Sequence, residues 1–198
     1  MVKTMMKLGL LLLALCLLTS AGVASAAKKT VEQERAEINQ LSQKALSNLY
    51  QQKPKAKNII QGCYAYATLS SSSVKLGLLG DARGRGLAIN HHTGEKVYLR
   101  MKQMGLGLGL GATEYDLIFL IANEEAWKSF VIGKTRFLGN AAATAKDGVS
   151  GGSYDGADYV ANGIWMYKIT KKGLALEVSL NGTKIYADKK LNASNKNP

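Results

Sequence analysis

The chain has 198 residues, 46% of them apolar, and a formal net charge of +12. That length and composition suit one ordinary globular domain, and the charge favours anionic partners: phospholipid headgroups, acidic polysaccharide, nucleic acid or acidic proteins. The same surplus also keeps a soluble protein from aggregating, so charge alone does not choose among them.

Lys3 and Lys7 form a positive start, Leu8 to Leu18 a short apolar core, and Ala24-Ser25-Ala26 an A-x-A cleavage site. Residues 1–26 therefore read as a secretory signal peptide, too short in its apolar run for a membrane span. Leu15 before Cys16 does not make a lipobox, so lipidation at Cys16 is set aside. The expected mature protein starts at Ala27; without Lys3 and Lys7 it keeps 24 basic residues against 14 acidic ones, a net charge of +10. Cys63 is its single cysteine, which leaves no intramolecular disulfide and no cysteine-built metal centre. A small buried apolar role is expected for Cys63.

Thr30 to Gln52 is polar and helix-forming, with Ile38, Leu41, Ala45 and Leu49 as one apolar stripe and a capping box from Thr30 to Gln33. Pro54 to Gln61 is a second short helix. Strands follow from Cys63 onward: Tyr64 to Leu69, then a polar turn or loop at Ser70 to Ser73. Val74 to Gly80 and Gly86 to Asn90 are expected to pair across Asp81 to Arg85. His92-Thr93-Gly94-Glu95 is a turn before a strand from Lys96 to Met101.

Gly105 to Gly111 alternates glycine with Leu106, Leu108 and Leu110. In a strand this puts leucine on one face and glycine on the other, and a glycine face admits close approach by another backbone or a ligand. Close packing is the preferred use, and the floor of a shallow lipid groove the other. Tyr115 to Ile121 is an apolar run suited to a strand covered on both sides. Asn123 caps a short helix through Phe130, and Lys134 to Leu138 is a further strand. Asp147 to Asp158 reads as a loop rich in Gly, Ser and Asp. Ile164 to Thr170, Gly173 to Leu180 and Thr183 to Tyr186 close the chain as a meander with turns at Lys171-Lys172 and Asn181-Gly182. The expected fold is α+β: an amphipathic helix, then largely antiparallel strands in a sandwich- or barrel-like arrangement, with one short internal helix. Residues 27–190 form the domain and residues 191–198 a polar tail.

This order of motifs resembles the SYLF domain, or Ysc84 actin-binding domain family, in its exported bacterial form. The resemblance runs from Leu41 to Tyr186. It is carried by Ala45-Leu46, Leu49, Pro54 and Ala56; by Gly62-Cys63-Tyr64-Ala65 and Gly84-Arg85-Gly86; and by Gly105 to Gly111 leading into Glu114, Tyr115 and Ile118-Phe119. Asn123 to Phe130, Gly163 to Tyr167, Lys172-Gly173-Leu174 and Gly182 complete it. The family often has an apolar residue and a proline after the first strand, where this chain has Leu69 and four serines. The resemblance implies binding of phospholipids, especially phosphoinositides, and of actin in eukaryotic members. Actin does not suit an exported bacterial protein; anionic lipid does, and it agrees with the charge.

The lipid-binding candidates are Lys75, Arg83, Arg85, Lys96, Arg100 and Lys102. Arg83-Gly84-Arg85-Gly86 leads them, as flexible glycines letting two guanidinium forks meet phosphate. For any one of these residues alone, a solvated surface charge is the commoner role. Trp127, Phe130 and Trp165 are assigned to the core. No catalytic constellation emerges. His91 and His92 are turn residues, Ser71 and Ser153 have no nominated base, and Gly133-Lys134-Thr135 lacks the glycine that a phosphate loop requires five residues earlier. The acidic loop at Asp147, Asp155 and Asp158 does not match an EF-hand. No enzyme activity, cofactor or metal is expected, and export argues against nucleic acid. The reading is an exported periplasmic lipid-binding protein. The alternative is a periplasmic structural or protein-interaction protein with no direct lipid binding.

Overall fold

A computed structural model describes residues 29–138, 156–170, 173–174 and 180–193, with only the backbone described at 74–80, 105–113 and 173–174. The chain divides into two compact units, Met1–Thr30 and Val31–Pro198, and all the described helices and strands belong to the second.

Helix α1 (Val31–Gln52) buries Ile38, Ser42, Ala45 and Leu49. The buried stripe thus takes Ser42 in place of the expected Leu41, which is only half-buried. Ser42 can be buried because Thr68 Oγ1 lies 2.7 Å from its Oγ and donates to it, so its polar atom is not orphaned. Helix α2 (Ala56–Gly62) follows at the expected place.

Two 26-residue strands then make most of the sheet: β1 (Ala65–Asn90) and β2 (Lys96–Ile121). They pair antiparallel along nearly their whole length around a turn at Asn90–Glu95, where Gly94 takes φ 71°. The Asn90 side chain fixes that turn by accepting from His92 N and Thr93 N, at 2.8 and 3.1 Å. Strand β4 (Ile164–Thr170) pairs with the second half of β2, and β6 (Thr183–Ala187) with its first half. Strands β3 (Asp158–Ala161) and β5 (Gly173–Leu174) both pair with β4. Among the described residues this is one six-stranded antiparallel sheet, curled into a half-barrel.

The curl follows from length. A strand rises about 3.3 Å per residue, so 26 residues laid straight would run roughly 85 Å, far beyond a domain of this size. The strand instead folds back on itself. A Cβ placed on Gly86 would lie 1.8 Å from the carbonyl oxygen of Thr68, and one on Gly84 would lie 2.5 Å from Ser71 Oγ. The two halves of β1 therefore touch, with no room for a side chain between them.

The curled sheet is covered on both faces. Inside, Ala65, Ala67, Leu69, Leu99, Met101, Leu117 and Phe119 meet Trp127 and Phe130 of helix α3 (Glu124–Val131). The Phe119 and Phe130 rings lie 5.2 Å apart. Outside, Ala45, Leu49 and Ile60 of α1 and α2 cover Ile118, Leu120, Trp165 and Tyr167. The apolar run ending β2 thus has two buried faces, and the assignment of Trp127, Phe130 and Trp165 to the core holds. Asn123 caps α3 by accepting from Ala126 N at 2.9 Å. Cys63 is buried, its Sγ donating to the carbonyls of Ile60 and Ala65, and burial pushes the thiol up to about 11.

Four expectations are corrected. Ser70 to Ser73 is not a turn but the interior of β1, where Ser70 pairs with Asp116 and Ser72 with Glu114. Val74–Gly80 and Gly86–Asn90 do not pair across Asp81–Arg85: all three segments lie in β1 and pair with β2. Gly84 and Gly86 are accordingly not flexible glycines; they are sites of close approach, by the Ser71 side chain at Gly84 and by the Thr68 backbone at Gly86. Lys134 to Leu138 is irregular, although Leu138 N donates to Val160 O at 2.8 Å. The supposed polar tail begins with helix α4 (Lys189–Asn192), whose Leu191 is buried against Ile38, Leu87 and Tyr98. The signal segment, the side chains of Lys75 and of Gly105 to Gly111, the Lys171-Lys172 turn and most of the Asp147–Asp158 loop lie outside the described residues.

Gly86→Ala is expected to destabilise the domain by more than about 3 kcal/mol, since the obstructing atom is backbone and cannot swing aside. Gly62→Ala, which has nothing within 4 Å of the new methyl, is expected to leave stability unchanged or slightly raised. Urea unfolding of the two variants beside the parent checks the contrast.

Candidate functional site

The strand register places the basic residues. Arg83 of β1 lies opposite Lys102 of β2, and Lys102 lies opposite Lys184 of β6. One row further, Arg85 lies opposite Arg100, and Arg100 opposite Tyr186. Alternate residues of a strand share a face, so both rows stand on the outer face, the side on which α1 packs. The next row, Leu87 with Tyr98, is sealed by Ile38 and Leu191.

The two basic rows differ in state. Arg85 is held by Glu37 of α1 through two hydrogen bonds of 3.1 and 2.6 Å, a forked pairing that fixes its guanidinium. Arg100 donates through Nε to Asp188 at 2.5 Å and lies 3.8 Å from Glu34. Lys190 reaches the same Glu34 at 2.6 Å. These two arginines therefore fasten α1 and the start of α4 to the sheet. Asp188 also caps α4, accepting from Lys190 N and Leu191 N. Burial alone would raise its carboxyl; the Arg100 bond and the two cap bonds outweigh burial and hold it below the ordinary aspartate value.

The Arg83–Lys102–Lys184 row is open. All three residues are exposed, and Lys102 and Lys184 make no ion pair among the described residues. Arg83 contacts Asp81 at 3.0 Å, but with 78% and 49% of the two side chains exposed that pair is weak. Next along the same face stands Met104, 77% exposed. Cross-strand neighbours have Cβ atoms about 5 Å apart, and like charges so placed repel. The row therefore concentrates positive charge on one strip of the outer face.

Of the six candidates, the fold brings Arg83, Arg85, Arg100 and Lys102 together. Lys96 is exposed on the same face but stands at the turn end of β2, opposite Ile89. Sequence reasoning missed Lys184. Its outward direction was readable from the alternation of Lys184 and Tyr186 with Ile185, but its place beside Lys102 depends on a pairing between distant segments. His91 and His92 lie at the turn as expected, their rings against Tyr66 and Tyr64.

A groove of about 480 Å³ opens between α1 and the sheet beside these rows, with Lys44 and Asn48 on its helix wall and Ser70, Ser72, Asp116 and Arg83 among its sheet residues. Ser70 Oγ donates to Asp116 Oδ1 at 2.6 Å, and burial pushes the Asp116 carboxyl up. No helix among the described residues is long and apolar enough to cross a membrane.

The architecture is a helix-covered half-barrel presenting cations on an outer face. Residues 102–195 match the Ysc84 family model, described as Las17-binding protein actin regulator. The chain is also 31% identical over 166 residues to beta cell expansion factor A of Aeromonas veronii, an alignment covering 82% of this chain and 60% of that protein. Residues 102–195 carry a Ysc84, or SYLF, domain. The chain spans about 60% of the length of the curated relative it matches, and the N-terminal part of the resemblance, Leu41 to Met101, precedes the stretch that the family model matches.

Asp188→Asn is expected to cost about 1–3 kcal/mol at neutral pH, the loss of a charged hydrogen bond to Arg100. Because the folded-state carboxyl lies below its unfolded value near 3.8, this contribution is present above that pH and is lost as pH falls through the folded value. The stability difference between parent and variant, measured by urea unfolding from pH 7 to pH 3, should shrink toward the acid end.

Proposed function

We propose that this protein is a non-catalytic lipid-binding protein of the cell envelope. It docks on anionic phospholipid through the Arg83–Lys102–Lys184 row, with Met104 entering the headgroup layer beside it. The observation that carries this reading is the row itself: three exposed cations held abreast by strand pairing, two of them without an ion pair among the described residues. Each such residue near an anionic surface contributes about 1 kcal/mol. Arg85 and Arg100 serve the same face indirectly, by holding α1 beside it. The family resemblance supports lipid as the partner, and the A-x-A site after Leu8 to Leu18 supports export, with residues 1–26 as the signal and a domain that starts at residue 27 and includes helix α4.

Cosedimentation with vesicles of zwitterionic lipid, with and without phosphatidylglycerol, tests the proposal. Binding is expected to need the anionic lipid and to weaken steeply from 50 to 500 mM salt, as screening shortens the reach of the charges. Replacing Arg83, Lys102 and Lys184 together by alanine is expected to lower affinity roughly a hundredfold, about 3 kcal/mol in all. Absence of binding at low salt would remove the lipid reading and leave a protein-contact role in the envelope.

A further inference from the structure

A second cavity, of about 210 Å³, shares no residue with the cationic row or with the groove beside α1. Three elements wall it: the start of α3, the segment 134–136 that follows that helix, and the turn between β3 and β4. Hydrogen bonds hold these walls together. Ala122 N donates to Gly163 O at 2.9 Å, Lys134 N to Ser129 O at 3.0 Å and Leu138 N to Val160 O at 2.8 Å. Asn123 Oδ1 accepts from Ala126 N, and Thr135 Oγ1 donates to Ser129 Oγ at 3.3 Å. Ala126, Ala161 and Ile164, all buried, supply a small apolar lining.

Four polar side chains of the lining take no part in that framework. Glu125, Lys134, Arg136 and Asn162 are exposed, and none makes a hydrogen bond or ion pair among the described residues. The chain itself turns the two cations outward. Thr135 bonds to α3, and the Phe137 ring lies 5.9 Å from Phe119 in the core, so Lys134 and Arg136 alternate with residues that point in. Glu124 and Lys128, the neighbouring charges on α3, pair with each other at 2.7 Å. Two cations and one carboxylate thus face one cavity without meeting.

That set of charges discriminates. A bare anion would gain the two cations but face Glu125. An amine would gain Glu125 but face both cations. A molecule with two carboxylates and one ammonium matches the set in sign and in number, and the Asn162 amide can serve either kind of group, as donor or acceptor. The cavity is smaller than the roughly 300–1,000 Å³ that holds drug-sized ligands, which suits so small a molecule. Each exposed ion pair contributes little alone; three of them on walls already fixed act together on one ligand. We propose that this cavity binds an acidic α-amino acid, with its carboxylates on Lys134 and Arg136 and its ammonium on Glu125.

The test titrates the full chain with L-glutamate at low salt near pH 7 and follows backbone amide chemical shifts. Glutarate, which lacks the ammonium, and L-glutamine, which lacks the second carboxylate, are the comparison ligands. Saturable shifts are expected at Glu125, Lys134 and Arg136, with glutamate bound roughly fivefold more tightly than either comparison ligand, the worth of one exposed ion pair of about 1 kcal/mol. Glu125→Gln is expected to erase the advantage over glutarate and to keep the advantage over glutamine. Arg136→Gln is expected to do the reverse. Both side chains are exposed and without partners among the described residues, and unchanged shifts in the rest of the spectrum check that each variant folds. Equal affinity of the parent for all three ligands would overturn the proposal, as would the absence of saturable shifts at these residues. Neither result bears on lipid binding by the outer face.

Discussion

The contact between Gly86 and the carbonyl of Thr68 is the constraint from which the rest of the molecule follows. Two strands of 26 residues cannot lie flat in a domain this small, so the hairpin must curl, and β1 must meet itself. Only a residue without a side chain admits that contact at the distance observed. Once β1 is bent there, its two halves lie under one helix. Thr68 reaches Ser42 in the middle of α1, and Arg85 reaches Glu37 one turn earlier. A single helix can thus bridge residues far apart in β1 because the strand has doubled back.

Along the outer face the chemistry is graded in steps of two residues. Leu87 and Tyr98 are sealed by apolar side chains; Arg85 and Arg100 are closed by carboxylates; Arg83, Lys102 and Lys184 are left open. The same strands therefore pass from core to clamp to exposed surface within four residues. The clamp is worth keeping only if its charges stay paired, because a half-buried arginine stripped of its carboxylate pays for desolvation without return. This separates two kinds of basic residue that look alike in sequence: those that build the face and those that present it.

Much of the fold was readable in advance for local reasons. The stripe on α1, the cap at Asn123, the turn at Gly94 and the apolar run ending β2 each follow from spacing or backbone preference within a dozen residues. What failed were segments whose state is set from a distance. Four consecutive serines have the composition of a turn, yet Ser70 and Ser72 lie in a strand because β2 supplies their ladder partners. Arg83 to Gly86 looked like a flexible phosphate-binding segment, because nothing local shows that the empty Cβ positions face another stretch of the same strand. Leu191 looked like tail because the pocket that receives it is built from Ile38, Leu87 and Tyr98. For the site, the cations were legible one by one. Their pairing states were not, and Lys184 was invisible until β6 was placed against β2.

That placement has a bearing on biogenesis. Lys184 arrives near the end of the chain, while its neighbours Arg83 and Lys102 belong to a hairpin made much earlier. A hairpin with a short turn closes readily, whereas a strand returning from far along the chain pays the larger loop entropy and docks late. The three-cation row is therefore completed among the last events of folding. An unfinished or misdocked chain carries two of the charges but not the array.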